Sequence, residues 1–198
     1  MTAIRTATVS RATKETTIQA TWTLDAPATA ASEIATGIGF LDHMLAALAK
    51  HSGTQIVLRG TGDLHIDAHH TTEDVGIVLG QCLKAALGER QGIERFGHMA
   101  CPLDEALVQA TVDVSGRPWL TYELHPPGPM LGQLPVELVP DFFGALADQA
   151  RIAIHLHQQC GRNSHHIVEA GFKAFARALR QAIAITGQGV PSTKGLLG

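Results

Sequence analysis

One pattern occurs twice in this chain. The stretches DAHHTTEDVGIVLGQCLKAAL and GRNSHHIVEAGFKAFARALRQ each open with His-His-x-x-Glu, as His69, His70 and Glu73 and as His165, His166 and Glu169. Behind each cassette the apolar residues keep a spacing of three and four: Val75, Val78, Leu79, Cys82, Leu83 and Leu87, then Phe172, Phe175, Leu179 and Ile183. That period predicts two amphipathic helices. Upstream the match continues, DHMLAALA resembling PDFFGALA and placing His43 opposite Asp141. An internal repeat limits the fold sharply, because each copy must resemble the other and bury its apolar face against a neighbour.

Strand-like runs fill the rest. TQIVLRG, DLHID and RIAIHLHQQ lie between the helical pieces, while TATVSR, ETTIQATWTLD, ALVQATVDVSG and WLTYELH carry the Thr, Val and Ile favoured on pleated surfaces. The expected fold class is α/β of the α+β kind: duplicated half-domains, each a mostly antiparallel sheet with helices packed on one face. We expect one domain over 1–198, duplicated at about 1–92 and 93–190, with a Pro- and Gly-rich loop HPPGPMLGQLP and a tail over 187–198.

Composition bounds the function. The chain has 198 residues, a net charge of −3 and 45% hydrophobic residues, so it can bury a core and carries no global basic field for nucleic acid. It contains no apolar run of the roughly 20 residues a bilayer span requires, and its N-terminus has no apolar signal-peptide core. A cytoplasmic protein without membrane or nucleic-acid partners is expected. Cys82, Cys101 and Cys160 form no CxxC, which argues against a thiolate zinc site or a disulfide frame. The eleven histidines are the anomaly.

Neighbouring helical residues point about 100° apart, so His165 and His166 are poorly placed to share an ion, whereas either shares a face with Glu169. Two metals are therefore expected. Imidazole and carboxylate donors fit Mn, Fe, Co, Ni or Zn, and the donor set alone leaves the metal open. His43 and Asp141 are the upstream candidates, Asp141 being either an oxygen ligand or the N-cap of a helix beside Pro140. His51, His98 and His125 gain nothing from the repeat, and His65, His155 and His157 read as structural positions on strands.

The segments TKET, TGIGFLDHMLAALAKHSG, GDLHIDAHHTTEDVGIVLGQ, PLDEAL, DVSGRP, NSHHIVEAGFKAFARALRQA and PSTKGLL occur in that order. Together they resemble the imidazoleglycerol-phosphate dehydratase family of histidine biosynthesis. The resemblance implies a hydro-lyase that converts D-erythro-imidazole glycerol phosphate to imidazole acetol phosphate. It implies two Mn2+ per active site, with other divalent metals possible, and a 24-subunit homo-oligomer built from trimers with active sites at subunit contacts. It places metal ligands at His43, His69, His70, Glu73, His165, His166 and Glu169, with Asp141 where many members carry histidine. It makes Glu15 the catalytic acid or base. Arg95, Arg117, Ser192 and Lys194 become phosphate ligands, and His51, Lys173 and Thr193 join the substrate-binding set. The tail is then expected to close over bound substrate.

Two other classes fit the ligands alone. A metal-binding or storage shell would use the same histidines without Glu15 and the phosphate set, and a two-metal phosphate-ester hydrolase would release free phosphate.

Overall fold

A computed structural model describes residues 4–195 and 197. The chain lays down the same unit twice. The first copy runs β1 (Thr6–Ala12), β2 (Thr16–Thr23), β3 (Glu33–Ala35), α1 (Gly39–Ser52), β4 (Gln55–Gly62) and α2 (His69–Leu87). The second runs β5 (Phe96–Leu103), β6 (Ala106–Asp113), β7 (Trp119–Glu123), a short ladder of β8 (Met130–Leu131) and β9 (Leu134–Pro135), then α3 (Leu138–Ala150), β10 (Ala153–Cys160) and α4 (Ser164–Ala182). The sheet orders correspond, β1-β2-β4-β3 and β5-β6-β10-β7, each with two antiparallel pairings and one parallel edge.

Alternation turns one face of each sheet inward. Ile18, Ala20 and Trp22 on β2, and Val108, Ala110 and Val112 on β6, are buried with the helices over them, and all belong to one continuous core cluster. α2 lies on its own sheet and packs against α3 of the other half, while α4 lies on the second sheet and packs against α1. The four helices thus form a layer that both halves share. Glycine permits the closest approach. A Cβ at Gly76 would stand 2.7 Å from the Phe142 carbonyl oxygen, and one at Gly80 would stand 2.8 Å from that of Leu146. Phe142, Phe143, Phe172 and Phe175 fill the space between α3 and α4, with ring centroids 4.8 Å apart for Phe143 and Phe172.

Five local details differ from the reading of the sequence. DLHID is a turn, not a strand: the Ile66 amide bonds back to the Asp63 carbonyl at 2.8 Å and both apolar side chains are exposed, because the chain must reverse from β4 into α2. One strand, not two, therefore separates the helices of the first half. FGHMACPL forms β5 despite its Gly and Pro, since it is an edge strand whose whole length pairs with β6. The Pro-rich loop contains the β8–β9 ladder, and the three-residue β3 lacked enough length to show a period. Asp141 is not an N-cap, because α3 begins at Leu138 with Glu137 in the cap position. Among the described residues no helix is long and apolar enough to cross a membrane. Of the expected tail, 196 and 198 lie outside the described residues.

Candidate active site

The helix starts are built to hold histidines. Asn163 caps α4, its side-chain oxygen accepting from the amides of His165 at 2.9 Å and His166 at 3.3 Å. Asp67 does the same for the His69 amide at 2.8 Å, two residues ahead of that cassette. At the start of α1, Asp42 accepts from the Thr36 amide at 2.8 Å and so fixes the turn that carries His43.

One cluster closes completely. His165 Nε2 lies 2.9 Å from Glu169 Oε2, one turn further along α4, and His43 Nε2 reaches the same oxygen at 3.5 Å from α1. The three ligand atoms lie within 4.8 Å of one another. Phe40 meets the His165 ring edge-on at 5.1 Å and limits its rotation. Glu169 is buried, which pushes its carboxyl pKa up, but hydrogen bonds from Lys173 and His165 outweigh this and leave it lowered. It is therefore an anionic oxygen donor beneath two exposed imidazoles, a donor set that suits a borderline divalent ion.

The second cluster is its looser counterpart. His69 Nδ1 lies 3.7 Å from Asp141 Oδ2, which joins α2 to α3 as His165 and His43 join α4 to α1. Glu73 is exposed on α2, four residues after His69. Ile77 stands where α4 has Lys173, so this glutamate has no equivalent partner within its helix.

His70 and His166 face other carboxylates. His70 Nδ1 is 3.0 Å from Asp63 Oδ2, a contact that raises the pKa of His70, and His166 Nδ1 is 2.7 Å from Glu105 Oε2. A carboxylate on one ring nitrogen orients the other outward, the usual support for a metal-ligating imidazole. Neither Asp63 nor Glu105 was expected from sequence. Asp63 opens the turn that leads into α2, seven residues before His70, whereas Glu105 sits in a turn 61 residues from His166, with PLDEAL as its signal. The two acceptors, Asp67 and the cap Asn163, could have been found, since they precede their cassettes by the same distance.

Glu15 and Glu105 occupy corresponding hairpin turns, each one residue before β2 or β6, yet their chemistry differs. Glu105 accepts from His166 and from the backbone amides of Arg162 and Asn163, which pull its pKa down to about 2. Glu15 is exposed, and among the described residues its carboxylate approaches only His70 Nδ1, at 4.0 Å. One turn carboxylate is committed to hydrogen bonds; the other is exposed to solvent.

The expected phosphate residues are dispersed. Arg95 is engaged by Asp113 at 2.8 Å and donates to the Pro191 carbonyl at 3.0 Å, so it ties the tail to the second half. Arg117 is exposed in the β6–β7 loop, Thr193 and Lys194 are exposed in the tail, and Ser192 Oγ accepts from the Lys194 amide at 3.2 Å. His51 lies in the last turn of α1, its pKa lowered by burial and by the nearby charges of Lys173 and Arg177. Lys173 Nζ is 2.6 Å from Glu169 Oε1. The corresponding positions in the other helix pair are Gln149, Ile77 and Gln81. At these three positions the α1–α4 pair thus carries basic side chains where the α2–α3 pair carries uncharged ones.

A family model described as imidazoleglycerol-phosphate dehydratase matches residues 36–179. An imidazoleglycerol-phosphate dehydratase of Acidiphilium cryptum is 50% identical, over 98% of this chain and 99% of its own, and one of Gluconobacter oxydans is 52% identical, over 98% of each. The crystal structure of the Staphylococcus aureus enzyme superposes with a TM-score of 0.83 at 37% identity, covering 91% of this chain and 99% of its own. The IGPD from Pyrococcus furiosus gives the same TM-score at 39% identity, covering 96% and 100%. The duplicated fold, the paired cassettes and these likenesses agree: the chain belongs to the imidazoleglycerol-phosphate dehydratase family, hydro-lyases of histidine biosynthesis.

Proposed function

We propose that the protein dehydrates D-erythro-imidazole glycerol phosphate to imidazole acetol phosphate, using two divalent metal ions per site, with Mn2+ as the expected ion. The observation that carries the reading is the cluster of His43, His165 and Glu169, whose donor atoms lie within 4.8 Å of one another. Asp141, His69 and Glu73 would hold the second ion. His70 and His166, oriented by Asp63 and Glu105, would supply ligands to sites completed by neighbouring subunits. We propose a homo-oligomer, the family's 24-subunit shell of trimers, with the active sites at subunit contacts. The absence of a membrane-crossing helix among the described residues is consistent with the proposed cytoplasmic location.

The chemistry explains the arrangement. The proton lost is not next to a carbonyl, so it is weakly acidic, and the substrate's imidazole must take up electron density. Bound metals would supply Lewis acidity toward that ring and fix its position. Loss of the hydroxyl beside the ring, then of the proton on the neighbouring carbon, leaves an enol that ketonises. Glu15 is the proposed acid and base for these transfers, because its carboxylate is uncommitted where Glu105 is not. Such a group contributes typically ~10²–10⁴-fold. The basic side chains of Arg95, Arg117 and Lys194 and the hydroxyls of Ser192 and Thr193, with His51 and Lys173 on the α1–α4 groove, would take the phosphate. Lys173 would then divide its charge between Glu169 and the substrate.

Glu15→Gln tests the assignment. It should bind metal as the parent does and lose turnover, whereas an active variant would remove Glu15 from the mechanism.

A further inference from the structure

Three residues hold the Glu15 turn to the metal-binding helix. Asp74, buried on α2 directly after Glu73, accepts from Arg11 Nε on β1 at 2.8 Å and from the Thr16 hydroxyl at the start of β2. Both strands of the hairpin that presents Glu15 therefore grip one carboxylate. The turn itself is rigid. Thr13 Oγ accepts from the amides of Glu15 at 3.0 Å and Thr16 at 2.9 Å, while the Thr13 amide donates to the Thr16 carbonyl at 2.9 Å.

The other half lacks this clamp. β1 pairs Arg11 with Ile18, and β5 pairs Cys101 with Val108, so Arg11 corresponds to Cys101 and Thr16 to Ala106. Placing the cassettes together puts Asp74 opposite Ala170. Cys101, Ala106 and Ala170 are all buried, so the same three places are filled by simple apolar packing. A buried carboxylate is costlier than such packing unless it is fully hydrogen-bonded, so stability alone gives no reason to prefer it. The difference follows the chemistry of the turns. In the second half Glu105 is located by its own bonds to His166, Arg162 and Asn163. In the first half Glu15 has no such bonds, and its position must be set from below.

We infer that Asp74, with Arg11 and Thr16, is a positioning device that fixes the Glu15 carboxylate relative to the α2 metal ligands. The inference rests on the reading of Glu15 as the acid or base. Misplacing a reacting group by about 1 Å can cost ~100-fold. The clamp should therefore act on kcat and leave metal and substrate affinity alone.

Thr16→Val, which keeps the shape and removes the hydroxyl, tests this in the metal-loaded enzyme alongside Thr16→Ser and Glu15→Gln. We expect Thr16→Val to lower kcat ~10- to 100-fold with unchanged KM and metal affinity, faster amide exchange over residues 13–16, and recovery with Thr16→Ser. If Thr16→Val does not fold, Arg11→Gln is the second variant and carries the same expectation. A Thr16→Val enzyme with lower thermal stability but normal kcat would overturn the inference, as would parallel losses of metal binding and turnover. Glu15→Gln separates the two readings: an active Glu15→Gln overturns both, while an inactive one beside a normal Thr16→Val overturns only the clamp.

Discussion

His165 Nε2 and Glu169 Oε2 stand 2.9 Å apart across one turn of α4, and His43 completes the group from α1. Glu169→Gln keeps the shape but removes the charge at its centre. It should weaken metal binding at this site by about 100-fold or more, the upper range for loss of a supporting group. Asp141→Ala should weaken only the second, looser site. Calorimetric titration of Mn2+ reads both, and unchanged affinity in Asp141→Ala would remove that residue from the ligand set.

Much of this site is visible in sequence because helices advertise themselves. The three-and-four spacing behind His69 and His165 marks a buried face, and duplication separates the cassettes from chance. The pairing of His165, rather than His166, with Glu169 settles a choice that spacing left open. Other parts carry no such signal. Glu105 reaches His166 from a turn 61 residues away that only the tertiary fold brings near, and Asp63 reaches His70 through a local turn with no period to mark it. β5 lacks β-branched residues and forms because β6 offers an edge. DLHID alternates like a strand but must turn the chain. For Asp141, cap and ligand readings differed by a few positions of helix start, finer than a propensity pattern can locate.

The shared helix layer depends on Gly80. A methyl group there would meet Gln149 Cβ at 2.7 Å and the Leu146 carbonyl oxygen at 2.8 Å. Gly80→Ala gains up to about 1 kcal/mol of helix propensity, yet forcing α2 from α3 costs about 1–3 kcal/mol. We expect net destabilisation in urea unfolding, with weaker metal binding at the His69–Asp141 site because those two helices carry it.

Glu105 makes stability depend on acid. Its pKa falls from the usual 4.5 to about 2 in the folded chain because of its bonds to His166 and two backbone amides. A depressed carboxylate stabilises the fold fully above its unfolded pKa and loses that contribution as pH falls through the folded value. Metal-free Glu105→Gln should thus melt below the parent protein at neutral pH. The difference should shrink between pH 4.5 and about 2, as thermal unfolding across that range would show.

The most direct test of the account is turnover of imidazole glycerol phosphate by Mn-reconstituted protein, with the ketone product and free phosphate followed together and a chelated sample beside it. The account predicts ketone only when metal is present, with the phosphate ester intact. Ketone formed equally by the chelated protein would contradict the metal-dependent mechanism, and release of inorganic phosphate in place of ketone would make the site a hydrolase.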